Sequence, residues 1–300
     1  MGVPLFFMIS GGLILPKIAN CNIMDFYKRR VPQFIIFLVF WSVLTNSLKL
    51  SLDGEGLVKS IITAAIKYNG IYPGSYGSAS QLWFLYSITQ LYLIAPFLAR
   101  MLERLTNNGI TLFIIFCFLF NQFKNTAAAI RGDWSSLQRM GSDFTVPYLI
   151  FFVIGYLIIE RNVLYKKTAL HLFYYLCTAF IPVLVLVAFD YYSGKVSNGL
   201  HWYSWSVFIL ISSIGLLLAM RWIFESKKSN KIISIISHCS FGIYLSHYIF
   251  IYISIYLVNF YECRLGSIQL TLAYFSLSFL MGLFLTFIFM KFRYTKKLLS

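Results

Sequence analysis

Acidic side chains are scarce in this chain, ten Asp and Glu among 300 residues. Charge of either sign amounts to 12%, against roughly 25% in soluble globular domains, so a fold bathed in water on all sides is excluded. The five cysteines, Cys21, Cys117, Cys177, Cys239 and Cys263, fall at no metal-ligand spacing, and only Cys263 lies in an outward loop. A thiolate metal centre and an external disulfide framework are thereby excluded. No phosphate-binding glycine loop, dinucleotide fingerprint, zinc motif, nucleophile elbow or kinase set occurs, and no metal is expected. The start of the chain lacks the basic segment and small-residue cleavage site of a secretory signal. Nothing repeats at a fixed period and no linker divides the sequence, so residues 1–300 read as a single membrane-embedded domain.

Hydrocarbon fills the chain instead. Hydrophobic residues make up 59%, beyond the roughly 45–50% usual in soluble proteins. They gather in runs near the length of about 20 residues that crosses a bilayer core. Apolar runs and their breakers predict nine spans, at approximately 1–15, 31–48, 81–99, 110–123, 144–160, 169–189, 202–224, 232–258 and 268–290. The expected class is all-α, a polytopic transmembrane helical bundle. Pro16 closes the first run, and Pro32 sits near a helix start, where its missing N–H costs little. The 110–123 run is short and either extends into its flanks or tilts little.

Charge sorts the loops. Seventeen of the 25 basic residues fall on one side with only four acids, the other eight facing six acids. That is the positive-inside pattern, and it makes the protein multi-pass with a cytoplasmic C-terminus. It also explains the net charge of +15 without nucleic acid, because no continuous basic face exists. A span opening at Met1 then faces outward, so one further helix upstream is expected. In the outer segment 49–80, Leu57, Val58, Ile61, Ile62 and Ala65 recur at helical spacing, with Lys59, Ser60, Thr63 and Lys67 opposite. An amphipathic helix on the outer surface and a packed loop both fit.

Polar groups within hydrocarbon are costly and mark functional positions or helix contacts. In the eighth span Ser237, Ser240, Tyr244 and His247 step by three, four and three along one face. His247 is a candidate general base or substrate hydrogen-bonding group, with Tyr244 its neighbour; a neutral structural histidine is the plainer alternative. Trp83, Ser87 and Gln90 share a face of the third span, as pocket lining or as inter-helix hydrogen bonds. His171, His201 and His238 fall near span ends and read as interfacial. Lys28-Arg29-Arg30 stands where forked guanidinium contacts could clamp a phosphate, though topology alone demands the same charges.

Four motifs lie in one order across nearly the whole chain. They are Val3-Pro-Leu-Phe-Phe-Met-Ile-Ser-Gly11, Phe26-Tyr-Lys-Arg-Arg30, Leu82-Trp-Phe-Leu-Tyr86 with Leu91-Tyr-Leu-Ile-Ala-Pro96, and Ser240-Phe-Gly-Ile-Tyr-Leu-Ser-His247. Together they resemble the acyltransferase 3 family, the integral-membrane O-acyltransferases of bacterial surface polysaccharides. The resemblance implies a ten-helix bundle in the cell membrane that moves an acyl group, usually acetyl, from cytoplasmic acyl-CoA to a hydroxyl of a glycan or glycolipid. It places the family's catalytic His on a first helix that precedes these residues, so no catalytic residue carries over directly. Arg30 matches the first position of the family's arginine pair, Gln33 stands at the second, and Arg29 is a substitute for acyl-CoA binding. Trp83 and His247 carry over as pocket positions. Relatives of the same bundle are regarded as polysaccharide exporters, and an inactive truncated remnant is the third possibility.

Overall fold

The structure, a computed structural model, describes residues 2–70, 77–132, 148–202, 204–227, 230–261 and 266–292. All regular structure among them is helical. In chain order the helices are α1 (Gly2–Ile18), α2 (Ile23–Leu52), α3 (Leu57–Lys67), α4 (Trp83–Arg104, entered by a 3-10 turn at Ser80–Leu82), α5 (Asn107–Arg131) and α6 (Leu149–Ile159). They continue with α7 (Ala169–Ser193), the short α8 (Asn198–His201), α9 (Val207–Phe224), α10 (Lys231–Phe260) and α11 (Ser267–Lys291). Seven of them, α2, α4, α5, α7, α9, α10 and α11, are long and apolar enough to cross a membrane. Every expected run is therefore a helix. α1 and α6 fall short of a full crossing: their 17 and 11 residues rise about 25 and 16 Å at 1.5 Å each, against a core of roughly 30 Å.

The chain folds as two compact units, Met1–Phe26 with Gln90–Lys227, and Tyr27–Thr89 with Lys228–Ser300. In the first, α6 is buried at every residue from Leu149 to Ile158, as a helix apolar all round requires. Its partner is α1. A Cβ on Gly11 would stand 1.9 Å from the Phe152 carbonyl oxygen, and one on Gly155 1.8 Å from that of Met8. Apolar burial does little to join helices already in lipid, so backbone approach through small residues does it. Phe7 completes the seam by stacking on Tyr148 at 4.4 Å.

Basic residues in the first unit also cap helices. The Arg161 guanidinium donates to the carbonyls of Leu102, Glu103 and Leu105 at 3.0, 3.1 and 3.4 Å. Leu102 and Glu103 belong to the last turn of α4 and Leu105 follows it directly, where carbonyls lack intrahelical partners. Arg221 donates to the Ile158 carbonyl at the end of α6 and lies over the Tyr165 ring, 4.2 Å from its centre. Glu225 accepts from Tyr165 at 2.7 Å and pairs with Lys167 at 3.2 Å. Those two hydrogen bonds, Tyr165 first, hold its carboxyl below the usual carboxylate range. The Tyr165 hydroxyl is pushed up to about 12 by loss of water and by its bond to Glu225.

α5 extends beyond the expected 110–123 at both ends. Thr106 caps it, accepting the Gly109 N–H at 3.2 Å. Beyond a π-helical turn at Phe118–Phe123, the polar run Lys124-Asn125-Thr126 continues the helix and is buried. It is buried because α5 grips the segment leading into α9. Gln122 donates to the Ser204 carbonyl at 2.9 Å, and Thr126 donates to the Trp205 carbonyl at 3.0 Å while accepting the Val207 N–H at 2.9 Å.

The second unit holds α3, α10 and α11. The segment 57–67 is the amphipathic helix of the two expected alternatives, with Ser60 from its polar side turned inward. Ser60 and Ala64 are buried against the protein, while Leu57, Val58, Ile61, Ile62 and Ile66 are exposed. Small side chains dock the helix, and Leu57 and Ile61 of its apolar arc border a groove along α2. The strap from Tyr68 to Leu82 is pinned at its described residues. Ser42 donates to the Tyr68 carbonyl and Tyr86 to that of Gly70. Asn46 accepts the Ser78 N–H at 2.7 Å and Tyr252 donates to the Ser78 carbonyl at 2.6 Å. Gly70 takes φ +76°, and any Cβ there would meet the Leu38 carbonyl oxygen at 2.2 Å. Residues 71–76 of the glycine- and tyrosine-containing tract lie outside the described residues.

Candidate active site

The polar stripe on α10 divides. Ser237 and Ser240 are exposed, and the Ser240 hydroxyl donates to the Ser237 carbonyl at 2.8 Å within its own helix. Ser240 is not among the residues that line the cavity at His247. That cavity, of about 510 Å³, lies between α10 and α11, and Tyr244, His247, Thr271, Tyr274 and Ser278 are the polar residues among its lining. Thr271, Tyr274 and Ser278 step by three and four, the spacing that puts them on one helical face.

His247 is held by its own helix. Its Nδ1 faces the main-chain carbonyl of Tyr244. A carbonyl can only accept, so Nδ1 carries the hydrogen and Nε2 keeps the lone pair. An imidazole fixed in that tautomer is suited to accept or orient a hydroxyl proton brought within reach of Nε2. Tyr244 lacks such freedom. Its hydroxyl donates to the Gln81 carbonyl, and its ring meets Phe84 edge-on at 5.0 Å. Tyr244 is thus a strut joining α10 to the start of α4.

The remaining candidates are placed as follows. Trp83 begins α4, half-buried and edge-on to Phe84 at 6.1 Å. Gln90, two turns on, is exposed and belongs to the other unit. Neither is among the residues lining the His247 cavity. Arg29 and Arg30 are exposed in the second turn of α2, which starts earlier than the sequence suggests. The reason is Asn22, whose side-chain oxygen accepts the N–H groups of Met24 and Asp25 at 2.9 and 3.4 Å, an N-cap arrangement. Arg30 donates to the Gln33 side-chain oxygen at 3.1 Å. The residue standing at the family's second arginine position therefore steadies the first.

Among the residues overlooked in the sequence, Gln81 stands out. It is 2% exposed, donates at 3.3 Å to both Thr45 and the Leu245 carbonyl, and its side-chain oxygen accepts nothing. The signal was present in Ser42, Thr45 and Asn46, polar residues at helical spacing within an apolar span. His201, taken as interfacial, is paired with Asp190. His238 faces the Ser234 carbonyl at 2.7 Å, and His171 lies 2.7 Å from the Thr168 hydroxyl in the cap of α7. Among the described residues no group of three or more His, Cys, Asp or Glu could hold a metal ion.

Fold and cavity together define a multi-pass helical membrane protein with a cavity at His247 between two of its apolar helices. The chain belongs to the acyltransferase 3 family, whose model, described as an acyltransferase domain, matches residues 1–291. No curated protein and no solved structure matches the chain.

Proposed function

We propose that this membrane acyltransferase transfers an acyl group, acetyl in the first instance, from acyl-CoA to a hydroxyl of a surface polysaccharide or glycolipid. The supporting observation is His247, which lines a cavity with Thr271, Tyr274 and Ser278 and whose Nδ1 is engaged by the Tyr244 carbonyl, leaving Nε2 as the acceptor. In this reading the acceptor hydroxyl approaches Nε2, and its oxygen bonds to the thioester carbonyl carbon as the C–S bond breaks. The proton taken at Nε2 passes to the departing coenzyme A thiolate. Arg29 and Arg30, charged and exposed on α2, would hold the phosphates of the coenzyme. This requires the α1–α2 turn to face the cytoplasm, as the positive-inside pattern indicates, with the C-terminus on the same side.

Membranes from cells carrying or lacking the gene, incubated with labelled acetyl-CoA, test the proposal. Labelled glycan should appear only with the gene present. Equal labelling in the two membranes would remove the enzymatic reading.

A further inference from the structure

We propose that the end of α7, the α8 turn and the segment entering α9 form a saccharide-binding site. Naming the bound sugar as the acyl acceptor rests on the reading above; the site itself rests on the geometry that follows.

Asp190, in the last turn of α7, is the centre. One carboxylate oxygen meets His201 Nε2 at 2.5 Å, and the other accepts the Ser197 N–H at 3.2 Å. The Asp190 side chain is 15% exposed and that of His201 38%. A carboxylate offers about four acceptor positions, so lone pairs remain after both bonds.

Exposed aromatic residues adjoin this pair in the chain on both sides. Trp202 and Trp205 lie with ring centres 6.2 Å apart, and both are exposed. Tyr191 and Tyr192, next to Asp190 in the chain, are more than four-fifths exposed. The flanking residues are anchored. Gln122 and Thr126 of α5 hold the carbonyls of Ser204 and Trp205, and Leu186, Leu200 and Ile209 pack beneath them. Such preorganisation lowers the cost of binding. A π-helical turn in α5, where Gln122 lies, is a feature common at functional sites.

A pyranose presents an apolar C–H face and a rim of hydroxyls. Indole and phenol rings match the face, and the carboxylate, with the imidazole nitrogen left over from the Asp190 bond, accepts from the hydroxyls. A phosphate would instead meet a carboxylate. Tryptophans and tyrosines also form belts where a bilayer meets water, but a belt has no use for a carboxylate–imidazole pair at its centre.

The test is a titration of the full chain, in phosphatidylcholine nanodiscs, with delipidated surface polysaccharide of the producing cell, followed by tryptophan fluorescence. Saturable binding is expected, with half-saturation raised about tenfold or more by Trp202→Ala and by Asp190→Asn. His201→Gln, which keeps a donor toward Asp190, should have a smaller effect and serves if the other variants fail to fold. No saturable signal, or variants that bind like wild type, would overturn the site. So would fluorescence quenched by brominated lipid and indifferent to sugar, the behaviour of an interfacial belt. Wild type that binds polysaccharide yet transfers no acetyl would leave the site standing and defeat the acyltransferase reading. Transfer with unaltered binding in Trp202→Ala and Asp190→Asn would do the reverse.

Discussion

At the scale of single residues, two neighbours on α10 show how context assigns chemistry. Tyr244 and His247 share a face, but Tyr244 commits its hydroxyl to Gln81 while His247 keeps the Nε2 lone pair. His247→Gln should therefore lower acetyl transfer by about a hundredfold, the lower edge of the 10²–10⁴ range for proton-transfer groups, at unchanged protein level. Activity within twofold of wild type would make the histidine a packing residue. Gly11 poses a packing question. With 1.9 Å between a Cβ and the Phe152 carbonyl oxygen, neither backbone can yield cheaply. Gly11→Ala should cost about 1–3 kcal/mol, typical of overpacking, read as a lower unfolding temperature in detergent; an unchanged midpoint would show that α1 can shift on α6.

Among elements, the strap between α3 and α4 and the length of α5 carry most of what could not be read in advance. Asn46 serves the strap twice, accepting from Ser78 and donating at 2.8 Å to the Ser42 carbonyl. Asn46→Leu leaves buried groups without partners, and each costs about 1–3 kcal/mol. Faster proteolysis within 68–82 and a lower unfolding midpoint are the expected results, and a variant as resistant as wild type would refute the anchoring role. α5 teaches the complementary lesson. Lys124-Asn125-Thr126 looks like the end of a span in any hydropathy reading, yet those residues are buried because the 204–207 segment folds back on them. α3 was legible as a helix from its spacing. That Ser60 and Ala64 would face inward was not, because small residues mark close approach only once the neighbour is known.

For the whole molecule, Arg161 and Arg221 show that charges read as topology signals also close helix ends in the first unit. Arg29 and Arg30 are exposed on α2, where Arg30 donates to Gln33. Replacing both with Ala should raise the apparent KM for acetyl-CoA several-fold with kcat little changed, provided reporter fusions show the same topology. An unaltered KM with unaltered topology would remove them from donor binding.

Nine apolar runs, their order and the helical class followed from the sequence alone. The reason is that a bilayer obliges each crossing segment to satisfy its own backbone, which makes hydropathy nearly sufficient. The four motifs placed the chain in its family on the same evidence. Only tertiary structure decided which polar groups meet: His247 with Thr271, Tyr274 and Ser278 at a cavity, Gln81 with Thr45, Asp190 with His201. Periodicity says which residues share a face of one helix. It is silent on which face of another helix stands opposite, because that is set by small-residue contacts and hydrogen bonds between segments far apart in the chain.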